Sequence, residues 1–142
     1  MTLPTLVLAT LSQYKEKYVM SQIITSLTLQ SPEIEVKMEE GLRSALKKAK
    51  ENKSDELSAV ERFQKNFRHK HQFDVMGIIC KLRSKGYIES IRLTRGKKPP
   101  ENVMFSDPSQ IMSNEAAHMI TEKGLERLNT VRMAPTCIIK EK

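Results

Sequence analysis

Apolar residues recur along this chain with two different periods, and the changes of period mark out its elements. From Leu3 to Gln30 the sequence is apolar with few breakers after Pro4. Leu6, Leu8 and Leu11, then Tyr18, Ile23, Ile24 and Leu27, predict one or two helices. Within this segment SQIITSLTLQ is rich in β-branched residues, so a strand competes with a helix there. Ser31-Pro32-Glu33 reads as a helix start, because Ser caps free N–H groups, Pro tolerates the first position and Glu complements the dipole. Ile34, Met38, Leu42, Ala45, Leu46 and Ala49 follow at three- and four-residue spacing, predicting a helix from about Pro32 with a cationic end at Lys47, Lys48 and Lys50. After the polar break Glu51-Asn52-Lys53, Ser54 followed by Asp55 and Glu56 predicts a second capped start. Leu57, Val60, Phe63, Gln64 and Phe67 then trace one face, with the helix ending near Phe67 or Arg68.

His69-Lys70-His71-Gln72 reads as a short basic turn. From Asp74 onward Val75, Ile78, Ile79 and Leu82 fall on one side of a helix that Gly86 stops, giving helix, turn, helix. YIESIRLT has an approximate period of two and predicts a strand; Arg95 to Pro100 turns the chain; ENVMFSD is read as the returning strand. Residues 107–115 look irregular, and AAHMIT reads as a short strand or a bridge. Thr121 caps a last helix carrying Leu125, Leu128 and Val131 on one side, and Pro135 is expected to end regular structure, leaving a tail that is either loose or paired with a partner.

Composition narrows the class. A chain of 142 residues, 39% hydrophobic and without Trp, is most economically one domain with an aliphatic core, α+β and mainly helical. Charge is more informative: residues 62–98 hold eleven Lys and Arg against two acidic residues, +9 within a chain of net +7, so the remainder carries −2. A localised positive field of that kind calls for a polyanion, with nucleic acid the first expectation. Cys80 and Cys137 are isolated thiols outside any C-x-x-C spacing, which argues against zinc and fits a reducing cytoplasm. The apolar run LPTLVLATL lacks a preceding basic region and is too short to span a bilayer, so neither a signal peptide nor a membrane contact is expected. His69, His71 and His118 form no established metal motif, and no phosphate loop, nucleophile elbow or carboxylate pair is present. The expectation is a protein without cofactor or metal that is not an enzyme.

The order helix, turn, helix, strand, basic hairpin, strand resembles the winged helix-turn-helix superfamily, most clearly from Val60 to Leu128. In regulators of the MarR and PadR type the recognition helix ends as Leu82-Arg83-Ser84-Lys85-Gly86-Tyr87-Ile88 does here, and Ile120-Thr121-Glu122-Lys123-Gly124-Leu125 is similar to the motif before their final helix. Two departures stand out: Gly77 inside the expected recognition helix, and a connection from Gly96 to Ala116 that is long for a simple wing. With this resemblance the chain is expected to divide into an N-terminal helical extension over 1–53, a winged-helix DNA-binding core over 54–131 with an elaborated wing, and a tail over 132–142; the apolar helices before Ser54, or Leu125 to Val131 with the tail, offer a dimerisation surface.

The resemblance further implies sequence-dependent duplex DNA binding by a homodimeric transcriptional regulator. The helix from Asp74 would enter the major groove and turn Gly77, Cys80, Lys81 and Ser84 outward. Lys81 is its strong donor; Met76 is placed to meet a thymine methyl, and Gln72 to read adenine. Arg68, Lys70, Arg83 and Lys85 around the helix, with Arg92, Arg95, Lys97 and Lys98 on the hairpin, are assigned to phosphates. Other readings stay open: a winged-helix module binding a protein partner in a larger assembly, a DNA-partition or packaging adaptor, and a binder of structured RNA.

Overall fold

The computed structural model describes residues 2–94, 98, 100–104 and 115–141, with side chains as far as Val131. Its elements run α1 (Leu3–Ser12), β1 (Tyr18–Met20), α2 (Ser21–Leu29), α3 (Pro32–Glu51), α4 (Glu56–Ser84), β2 (Ile88–Leu93), β3 (Val103–Met104), β4 (Glu115–Ile120) and α5 (Glu122–Glu141). The chain is thus mainly helical with one small sheet, the α+β class its pattern predicts.

Every residue of α1 from Thr5 to Leu11 is buried. A helix apolar on all sides belongs inside a fold, and α1 lies among the other elements. Its Val7, Leu8 and Leu11 share one core with Val19 of β1, Ile24 of α2, Val75, Ile79 and Leu82 of α4, Ile88 of β2, Ile120 of β4 and Leu128 of α5. The elements of the first 29 residues therefore share their principal core with the second half of α4, β2, β4 and α5. SQIITSLTL resolves as helix α2: Ile24 and Thr28, one turn apart, are the buried pair, while the Thr25 and Thr28 hydroxyls donate to the carbonyls of Ser21 and Ile24 at 2.9 Å.

The start of α3 falls at Pro32 as predicted, although Ser31 turns its hydroxyl back to the Thr28 carbonyl at 2.7 Å instead of capping α3. At α4 the cap is Asp55, not Ser54: its carboxylate accepts from the Leu57 N–H at 3.2 Å and the Ser58 hydroxyl at 2.7 Å. Both bonds hold the Asp55 carboxyl below its usual pKa, the Ser58 bond first. α3 and α4 fold back on each other where Gly41 meets Phe63, and a Cβ on Gly41 would fall on that ring.

The largest departure from expectation is the continuity of α4. Residues 69–72 are helical, so the local turn between two helices at that point does not exist. No Gly or Pro interrupts the chain from Glu56 to Met76, and His71 is a buried member of the same stripe as Val75, Ile79 and Leu82. Its Nε2 lies 2.8 Å from the Thr28 hydroxyl, which satisfies the ring in the interior. The polar run His69 to Gln72 is therefore an exposed helix face plus one inward-facing histidine.

The sheet has the order β2-β4-β1-β3. β4 is antiparallel to both neighbours, pairing Ile88 with Ile120 through Leu93 with Glu115 on one side and Val19 with His118 on the other. The segment AAHMIT is thus a full central strand, and it is the strand that returns against β2. Val103–Met104, expected in that role, instead lies parallel to β1 at the far edge; the rest of ENVMFSD lies outside the described residues. Pro135 does not end α5, which runs on to Glu141.

Two joints fix the end of α4 and the start of α5. Gly86 adopts φ +80, and the N–H groups of Gly86 and Tyr87 donate to the carbonyls of Arg83 and Leu82 at 3.0 Å, closing the helix as a Schellman motif. The Thr121 hydroxyl then accepts from the Gly124 N–H at 3.1 Å and donates to the Gly86 carbonyl at 2.7 Å. A Cβ on Gly124 would overlap the Tyr87 carbonyl oxygen. The run Thr121-Glu122-Lys123-Gly124 is thus a cap and a close-approach site that seats α5 on the chain leaving α4.

Candidate nucleic-acid interface

The basic residues of the 68–98 region that are described are all exposed: Arg68, Lys70, Lys81 and Arg83 on α4, Lys85 at its C-terminal cap, Arg92 on β2 and Lys98 in the following connection. Arg95 and Lys97, expected at the tip of the wing, lie outside the described residues. On α4 the outward set Gly77, Cys80, Lys81 and Ser84 is exposed as anticipated.

Helical spacing sorts these side chains into two rows. Arg68, Gln72, Met76 and Arg83 follow one another at four- and seven-residue intervals and run along one side of α4; Lys70, Lys81 and Lys85 lie along the other. Between the rows sits Phe73, 79% exposed, with Met76 at 52% beside it. The site therefore combines two cationic edges with an apolar strip.

The first row borders a half-open cleft of about 310 Å³, lined by Gln72 and Met76 of α4, Ser21 and Gln22 of α2, and Glu115 and Ala116 of β4. Sequence reasoning found Gln72 and Met76 but missed Ser21, Gln22 and Glu115. No local signal could have found them, since they lie some fifty residues before and forty after Gln72 and meet it only through the sheet order and the seating of α2.

His118 holds this side of the molecule together. It is buried on β4, with Nε2 2.8 Å from the Ser21 hydroxyl and Nδ1 2.6 Å from the Ser90 hydroxyl. Burial, with a smaller contribution from the positive charge of Arg83, pushes its pKa down to about 4. It is thus neutral at ordinary pH, one ring nitrogen donating and the other accepting. By binding Ser21 it pins the first residue of α2 to the sheet and places Gln22 at the cleft. His71 is likewise lowered by burial, with Lys37 adding to the effect and Asp74 and a Thr25 backbone bond opposing it.

His69 is exposed and His71 buried, so the two do not converge. Among the described residues no three His, Cys, Asp or Glu side chains are grouped as a metal ion requires. Cys80 is a free, exposed thiol. No helix among them is long and apolar enough to cross a membrane. The chain matches no protein-family model, no curated protein and no solved structure.

Proposed function

We propose that this protein binds duplex DNA, with the C-terminal half of α4 in the major groove and the cationic residues around it on the phosphates. The observation that carries this reading is the common exposure of Arg68, Lys70, Lys81, Arg83 and Lys85 on one rod-like element and its cap, continued by Arg92 on β2 and Lys98 beyond it. An α-helix fits the major groove, and cations along its edges reach the backbones on either side.

A winged-helix architecture is part of the proposal. It is supported by the succession of α1, β1, α2, the end of α4, β2 and β4, and by the antiparallel order β2-β4-β1. In this reading α2 and the last turns of α4 are the helix pair, α3 and the first half of α4 form a hairpin inserted between them, and the connection from β2 to β4 is the wing. A homodimer on an inverted repeat, acting as a cytoplasmic transcriptional regulator, is the fuller form; exposed Val36 and Leu57 on the α3–α4 hairpin are apolar surface that a second copy would cover. The exposed pair Phe73 and Met76 favours a second reading, a module that docks an acidic protein on the same face.

Titrating fluorescent random-sequence duplex at several salt concentrations tests the proposal. Binding is expected at low salt with a steep salt dependence, and Lys70→Ala/Lys85→Ala should weaken it for all sequences and reduce the slope by about 1 for each phosphate no longer neutralised. No duplex binding at low salt sinks the reading; capture of an acidic protein without any duplex affinity moves the assignment to the second.

A further inference from the structure

The most exposed large apolar side chain among the described residues stands in the middle of the cationic site. Phe73 is 79% exposed, and Met76, almost one turn on, is 52% exposed. At about 100° per residue, Phe73 points away from His71, Val75 and Leu82, the buried stripe of α4, so the fold itself does not cover it. Gly77, one turn beyond Phe73, is also exposed, and a Cβ there would meet nothing within 4 Å, so the surface beside the ring is open. Lys70 and Lys81 flank this apolar strip on one side and Arg83 on the other. A surface apolar along its centre and cationic along both edges fits a partner of the converse pattern, an apolar strip between two rows of anions.

We infer that Phe73 and Met76 read the C5-methyl groups of thymines on the floor of the major groove. The inference rests on the duplex-binding reading, supplies a source of its specificity and adds Phe73 to the base-reading side chains. Duplex DNA carries its anions in two rows, and the base edges between them present hydrogen-bonding groups; the thymine methyl is the only apolar substituent among these. Adenine N7 and N6, guanine N7 and O6 and cytosine N4 lose hydration against a phenyl ring or a thioether without gaining a hydrogen bond, so they are disfavoured at the same place. A methyl group buried there gains about what one CH₂ gains on leaving water, roughly fourfold in affinity. Because Phe73 is central on the outward face, its ring reaches the groove floor while Lys70 and Arg83 at the edges reach the backbones.

Selection from a random duplex library with the full chain gives its preferred site, which is then remade with single thymines replaced by uracil, a base that lacks only the methyl group. Thymine should be selected at one or two neighbouring positions, and uracil at each of them should weaken binding roughly fourfold. With a C·G pair at such a position, 5-methylcytosine should bind more tightly than cytosine, because the methyl returns without the thymine O4. The double variant Phe73→Ala/Met76→Ala removes only exposed side chains and introduces a good helix former, so it should fold normally. It should keep the salt slope for random-sequence duplex, since no cation is lost, and should no longer distinguish thymine from uracil. A selected site that binds equally well with uracil, discrimination unchanged in the double variant, or duplex binding without any selected site overturns the inference and leaves duplex binding standing. Absence of duplex binding at low salt removes both together.

Discussion

His118 spends its hydrogen-bonding capacity on two serines, and its neutrality has a measurable consequence. An unfolded histidine titrates near 6.5, the folded one at about 4, so protons bind the unfolded chain more tightly between these values. Stability is therefore fully present above about pH 6.5 and is lost as pH falls toward 4, by about 3 kcal/mol at full extent. His71, lowered in the same direction, adds to the loss. Urea unfolding between pH 7.5 and 4.5 should show this decline, and a variant His118→Gln should show a flatter one. An imidazole proton signal of folded His118 titrating near 6.5 by NMR would contradict it. Two glycines make opposite predictions: Gly124→Ala forces a Cβ onto the Tyr87 carbonyl and should cost about 1–3 kcal/mol, while Gly77→Ala meets nothing within 4 Å and should gain about 1 kcal/mol. Equal midpoints in urea for the two variants would refute the packing argument.

The long helix α4 unites two tasks, packing on α3 with its first half and closing the core with its second. Its 29 residues span about 43 Å at the ordinary helical rise. Continuity through residues 69–72 is what makes one rod of the two cationic rows, and it is open to a direct probe. Lys70 is exposed in the helix interior, so Lys70→Pro removes a backbone bond and clashes with the preceding turn, costing about 3 kcal/mol or more. A turn at this place would accept the proline with little change in thermal midpoint, which is the result that would argue for two helices. The pattern of apolar residues located both halves of α4 correctly. It misjudged the join because two histidines and a glutamine look like turn residues until the burial of His71 against Thr28 is known. The opposite case is β4, whose short, weakly hydrophobic sequence reads as a short strand or a bridge and gives no sign of a central place in the sheet. Ala117 and His118 are buried there because strands lie on both sides.

The core is shared between the two ends of the chain, which sets what the molecule tolerates. Val7, Leu8, Leu11, Val19 and Ile24 all lie in the first 29 residues and all sit in the principal core. At about 2 kcal/mol each, their burial contributes about 10 kcal/mol, comparable with the whole stability of an ordinary domain. A fragment spanning residues 54–142 should therefore lack a cooperative thermal transition and a dispersed NMR spectrum; cooperative unfolding of that fragment would show that the first 53 residues are an appendage. From the linear order of residues alone come the helical periods, the stop at Gly86 and the start at Pro32, the cap at Thr121 and the concentration of positive charge, because each depends on neighbours within a few positions. The burial of α1, the unbroken run of α4, the central place of β4 and the meeting of Gln22, Gln72 and Glu115 in one cleft depend on residues tens of positions apart coming together, which happens only once the core has closed.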